Sequence, residues 1–166
     1  MGTIASQLEN AKITLSVQLL KQHNNQPMLP VNYLAILVAA AAAFIIGFLF
    51  HGPLFGKTWM RLANIKPTGK EKFSDMVPQM VKNYLVNVLF AYVLAVVYLF
   101  ATTSPAMGGS GALNGMACAF WVWLGFVFTT TAIDVIWMGK SPKLWWFDNA
   151  SSLVSTLAMG AIIAIW

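Results

Sequence analysis

The sequence predicts an all-α membrane protein: four transmembrane helices, a short interfacial helix after the first span, and an amphipathic N-terminal helix. Three observations carry that expectation. Of 166 residues, 58% are hydrophobic and only 9% charged, with a mean hydropathy of +0.69, against roughly a quarter charged in soluble domains. So short a chain has too little polar surface to cover that much apolar surface in water, so lipid must be its solvent. The apolar residues fall into four runs, each near the ~20 residues a helix needs to cross a bilayer. The basic residues gather in two of the three connections.

Residues 1–30 read as a polar lead-in. On a helix, Ile4, Leu8, Ala11, Leu15 and Leu19 share one face, as in a helix lying on a membrane surface or a partner. That helix should end near Asn24-Asn25-Gln26-Pro27. The order of a signal peptide is absent. Met1-Gly2-Thr3-Ile4-Ala5-Ser6 fits the loose myristoylation pattern, but the topology argued below opposes it. Residues 31–166 form the transmembrane domain, with spans expected at about 31–50, 83–103, 112–138 and 147–166.

The first span ends where Gly47-Phe48-Leu49-Phe50-His51 meets Gly52-Pro53, a pair that stops a helix. Beyond it Phe55, Trp59 and Leu62 share one helical face while Lys57 and Arg61 point away, the pattern of a short interfacial helix. Trp137, Trp145 and Trp146 belong to the same level, as in an aromatic belt. Eight of the ten basic residues lie in the first and third connections or at their edges, against Lys12 and Lys21 elsewhere. The connection Ser104 to Gly111 has no charge. Positive residues stay inside, so the basic side is expected to be cytoplasmic and both termini outside.

Ridges of small residues are expected to pack the spans: Ala39, Ala43 and Gly47 on the first, Gly111, Gly115 and Ala119 on the third, Ser152, Thr156, Gly160 and Ala164 on the fourth. Such ridges let backbones approach within a chain or between subunits.

Several function classes lose support. The net charge of +5 sits beside the spans and forms no separate basic, aromatic patch, so nucleic acid is not an expected partner. Cys118 has no second cysteine to pair with and reads as a packing residue. No nucleophile elbow, metal-binding His pair or phosphate loop occurs, so neither an enzyme activity nor a cofactor is expected. Asn149-Ala150-Ser151 matches a glycosylation acceptor formally but lies beside the membrane on the wrong side.

Polar residues within the spans concentrate at the basic end: His51, Asn83, Asn87, Asp134 with Thr129, Thr130 and Thr131, then Asp148, Asn149, Ser151 and Ser152. Groups of this kind are costly in lipid unless they face a cavity or each other. They predict a polar vestibule open to the cytoplasm and closed on the far side. The candidate ligand-binding residues are His51, Lys57, Trp59, Asn83, Asn87, Asp134, Asp148 and Asn149. Asp134 is the sharpest. Lys140, Lys143, Lys57 and Arg61 could each neutralise it, and an ion pair tying the third connection to the first is a stronger expectation than a substrate site. His51, Asp134 and Asp148 match no metal-ligand spacing, so no metal is expected.

The segment Gly47 to Met60 resembles the signature Gly-x-Leu-Trp-Tyr-Gly-Pro-Leu-Phe-Gly-Lys-x-Trp-Met of a family of small four-span integral membrane proteins catalogued as a domain of unknown function, number seventeen sixty-one. Ala91-Tyr92-Val93-Leu94-Ala95, Trp123-Leu124-Gly125-Phe126-Val127, Gly139-Lys140 with Pro142-x-Leu144, and Ser152-Leu153-Val154-Ser155 leading to Met159-Gly160-Ala161 extend the resemblance over about residues 31–166. Phe50-His51 stands where the family usually has Trp-Tyr, Asp134 where Asn is common, and Asp148-Asn149-Ala150-Ser151 where it tends to carry Asn, Gly and an aromatic. The resemblance implies a fold and a membrane location and supplies no activity. It also argues against His51 or Asp134 as a family-wide catalytic group.

The leading functional expectation is a self-associating membrane protein that binds a small molecule, ion or lipid headgroup in the vestibule, in a transport-related role. The alternatives are an accessory subunit of a larger membrane assembly and an intramembrane lipid-acting enzyme using Asp134 and His51 as acid and base.

Overall fold

The computed structural model describes residues 7, 9–10, 12–18, 30–66, 73–105 and 109–166. The chain divides into two compact units, Met1–Pro30 and Val31–Trp166. In the first, the described residues between 7 and 18 are helical and exposed. Leu15 of the anticipated apolar face is among them, whereas Ile4, Leu8, Ala11, Leu19 and the expected stop at Asn24 to Pro27 lie outside the described residues.

The described residues of the second unit form helices and the turns between them, with no strand. Among the described residues, four helices are long and apolar enough to cross a membrane: Tyr33–Leu54, Phe73–Thr102, Ala112–Trp137 and Pro142–Ile165, here spans one to four. Asn32 begins span one by accepting from the amides of Leu34 at 3.0 Å and Ala35 at 3.2 Å, a side-chain cap for otherwise unpaired donors.

The helices of spans two and four extend beyond the apolar runs read from the sequence. The helix of span two begins at Phe73, ahead of the apolar run expected from about residue 83, and that of span four at Pro142, ahead of the run from about residue 147. The apolar run measures the part of a helix in lipid, while the helix itself continues into the polar zone. Pro142 suits a first helical position because its missing N–H would have no partner there. Asn83 and Asn87 therefore stand well inside span two.

At the end of span one Pro53 cannot donate a helical hydrogen bond. The helix widens into a π-type turn over Phe50–Leu54 and breaks at Gly52 (φ −115°, ψ −106°). The interfacial helix Gly56–Leu62 follows. A Cβ on Gly56 would lie 2.9 Å from the His51 carbonyl oxygen, so glycine lets the interfacial helix fold back against span one. Asn64, at φ +56°, closes that helix in the left-handed region, where Asn is tolerated.

Span four lies between spans one and three, span two packs on span one, and the contacts of span two with spans three and four are lighter. Ile36, Ala39, Ala40 and Ala43 of span one pack with Ala91, Leu94 and Ala95 of span two, Ala119 of span three and Met159 of span four. This core lies toward the end away from the basic connections. Spans three and four cross backbone against backbone: a Cβ on Gly115 would stand 2.1 Å from the Gly160 carbonyl oxygen, and one on Gly160 2.3 Å from that of Gly115. The small-residue ridges of these two spans thus meet each other within one chain. An added Cβ at Gly47 meets nothing within 4 Å.

Gly160→Leu is expected to force spans three and four apart and cost about 1–3 kcal/mol, the usual range for overpacking. Gly47→Ala should leave stability unchanged or slightly raised, since Ala is the better helix former. Reversible unfolding in mild detergent or bicelles measures both, and equal stability of Gly160→Leu and wild type would refute the crossing.

Candidate functional site

Where the spans leave the core and approach the basic end, they separate around a polar cavity of about 290 Å³. His51 from span one, Asn83 and Asn87 from span two, and Asp148, Ser151 and Ser155 from span four line it, with Thr156 and Met159 beside the core. The carboxyl and imidazole groups meet at its rim. Asp148 Oδ2 accepts from Lys140 Nζ at 2.9 Å, and Asp148 Oδ1 lies 3.5 Å from His51 Nε2. His51 Nδ1 lies 2.9 Å from the Gly47 carbonyl oxygen, which turns the ring toward span four. Rings pack round it, Trp59 at 5.3 Å and Phe147 at 5.7 Å, both edge to face, so the imidazole is held on three sides.

The local sequence sets up this ion pair. Gly139 takes φ +70°, a conformation glycine adopts without penalty. The Met138 and Lys140 amides both return to the Asp134 carbonyl oxygen, each at 3.1 Å, which ends span three. Lys140 is then held at the start of span four, within reach of Asp148.

The predicted site residues divide into two groups. His51, Asn83, Asn87 and Asp148 come together around the cavity. Trp59 stands behind His51 and lines an adjoining groove. Lys57 is exposed on the interfacial helix and lines neither space. Asp134 is half-buried, lies away from the cavity, and among the described residues has no ion pair within 4.0 Å. The expected bridge from Asp134 to Lys140 or another cation is therefore corrected. Lys140 is a partner, but of Asp148, because the left-handed turn at Gly139 carries it past the end of span three. Nor is Asp134 grouped with His51 as an acid and base pair.

Asn149 has a different place from the one expected. It is buried, 3% exposed, and its Nδ2 donates to the Trp145 carbonyl oxygen at 3.0 Å and to Thr131 Oγ1 at 3.2 Å. Trp145 Nε1 also donates to Thr131 Oγ1, at 3.0 Å. A second clasp lies deeper: Trp123 Nε1 donates to Ser152 Oγ at 2.7 Å, and Ser152 Oγ to the Asn149 carbonyl oxygen at 3.2 Å. Here the polar side chains join spans three and four, since in lipid each finds its partner in protein. Sequence reasoning missed Trp123, Ser155 and Thr156. A single sequence carries no sign that a tryptophan N–H will meet a serine 29 positions on.

The chain matches, over residues 34–164, the family described as protein of unknown function (DUF1761), and it belongs to that family. No curated protein and no solved structure matches it.

Asp148→Leu and Asp134→Asn are expected to separate sharply. The first strands Lys140 and His51 at a partly buried rim, at a cost between the roughly 0.2–1 kcal/mol of an exposed pair and the roughly 3–5 kcal/mol of a buried one. The second should change stability by less than about 0.5 kcal/mol, since among the described residues Asp134 has no ion pair to lose. Thermal unfolding of the purified variants in one detergent checks the order.

Proposed function

We propose that this member of the family binds a small polar molecule, an ion or a lipid headgroup in the cavity between spans one, two and four, in a transport-related role, with the basic end facing the cytoplasm. One observation carries the reading. A space of about 290 Å³ in the membrane-spanning unit has an imidazole, two carboxamides, a carboxylate and hydroxyls in its wall, among Ala43, Val86, Phe90, Val127 and Met159, and among the described residues no buried polar side-chain atom is without a partner. Polar groups at this depth are costly unless they face water, protein or a ligand. The clasps account for Asn149, Thr131 and Trp123 by packing; the polar groups of the cavity wall are partly paired, Asn87 with Asn83 and Asp148 with Lys140 and His51, yet they also line an open space. Orientation rests on the charge asymmetry of the connections.

Self-association belongs to the proposal, through surfaces other than the ridges of spans three and four, which face each other. A second reading, an accessory subunit of a larger assembly, is favoured by the outer face of span three. Trp121, Phe126, Ile136 and Trp137 there are each 68% or more exposed. Crosslinking in native membranes separates the two: self-crosslinks support the first, and one reproducible heterologous partner at span three supports the second.

Access to the cavity is testable directly. In a Cys118→Ala background, Ser155→Cys should react with a charged, membrane-impermeant thiol reagent added from the cytoplasmic side of sealed vesicles and resist it from the other. Labelling only from the opposite side would overturn the orientation. Absence of labelling from both sides, with full labelling after denaturation, would overturn an open polar cavity.

A further inference from the structure

The polar cavity is not isolated. A groove of about 640 Å³ runs beside it between spans one and two, and the two share Gly47, His51 and Asn83. One wall of the groove is Phe44, Phe48, Met76 and Met80. Phe48 and Met76 are nearly half exposed, so this wall faces the lipid around the bundle. Beside it on span two Asp75 and Gln79 form a polar strip, with Trp59 of the interfacial helix also in the lining. Thus an apolar wall open to the bilayer runs beside a polar strip, and the groove meets the polar cavity through three shared residues.

The charges there are one-sided. The ionisable groups lining the two spaces are Asp75, Asp148 and His51; among the described residues no Lys or Arg lines either. Lys140 is held on the far oxygen of Asp148. Asp75 accepts a hydrogen bond from its neighbour Ser74 at 3.2 Å and is exposed. Among the described residues, an anionic head in the groove would meet the Asp75 carboxylate, and deeper in the cavity that of Asp148, with no lysine or arginine lining either space. An ammonium head would meet a carboxylate and the indole of Trp59, whose ring face attracts cations.

We infer that groove and cavity together admit one cation-headed amphiphile from the bilayer, its tail along Phe44, Phe48, Met76 and Met80 and its ammonium head between Asp75 and Trp59 at the mouth of the polar cavity. This rests on the polar cavity being the binding site and names the chemical class of its ligand.

Gly47 provides the decisive variant. It lies where the two spaces join, and a Cβ there meets nothing within 4 Å, so the side chain of Gly47→Leu starts without a clash and extends into the junction. The full chain in zwitterionic-lipid nanodiscs is titrated with radiolabelled dodecyltrimethylammonium, with empty nanodiscs as the baseline. Saturable binding is expected, weakened about tenfold or more by Gly47→Leu and several-fold by Asp75→Asn. Dodecyl phosphate should not compete. Unfolding temperature confirms that each variant is folded, and Asp75→Asn, on an exposed helix end, keeps the test alive if Gly47→Leu is not. Binding no greater than to empty nanodiscs, competition by dodecyl phosphate equal to that of the cation, or unchanged affinity in both variants overturns the inference. If tetramethylammonium, which has no tail, binds as tightly as the dodecyl compound and Gly47→Leu weakens both, the amphiphile falls while the polar-cavity reading stands. Failure of the Ser155→Cys labelling would instead remove that reading itself.

Discussion

The meeting of Gly115 with Gly160, backbone against backbone, is the constraint on which the rest of the bundle turns. Lipid tails are as apolar as leucine, so two spans gain nothing by hiding apolar surface from water; they associate by close packing and by hydrogen bonds between them. Where a Cβ on either glycine would fall within 2.3 Å of the opposite carbonyl oxygen, no larger residue allows the approach. That approach brings Trp123 to Ser152 and Trp145 to Thr131. With span four fixed on span three, its other face is left for span one, and Asp148 comes to His51.

The polar residues at the basic end then serve two purposes that composition cannot separate. Thr131, Asn149, Trp145, Trp123 and Ser152 bond to one another and close the seam between spans three and four. His51, Asn83, Asn87, Asp148, Ser151 and Ser155 stand one helix face away, around a space. Asn149 next to Asp148 illustrates the division. Adjacent on a helix, they point about 100° apart, and one enters the clasp while the other reaches the rim.

Beyond Gly52 the chain bends back on itself with the same economy of means. Pro53 removes a donor, the helix widens, and Gly56 lets the following turn touch the carbonyl of His51. Phe50, Phe55 and Phe147 pack over the bend at tilted and edge-to-face angles. The bend sets Trp59 behind His51 and makes one wall of both the cavity rim and the lipid-facing groove.

Four spans, the break at Gly52-Pro53, the interfacial helix and the gathering of polar residues at one end were legible in the sequence. Each follows from local quantities: the length of an apolar run, the missing N–H of proline, the alternation of cation and aromatic along a turn. Helix starts were less legible, because the hydrophobic run reports the lipid boundary and a helix does not stop there. Only the tertiary structure decided which polar residue faces which. Asp134 looked the most demanding carboxylate because it lies within an apolar segment beside Lys140, yet the left-handed turn at Gly139 hands that lysine to Asp148. The ridges of small residues were visible, but their partners were not, since a pattern repeating every four residues fixes a face of a helix and says nothing of what lies across from it. That choice belongs to the order in which the spans pack.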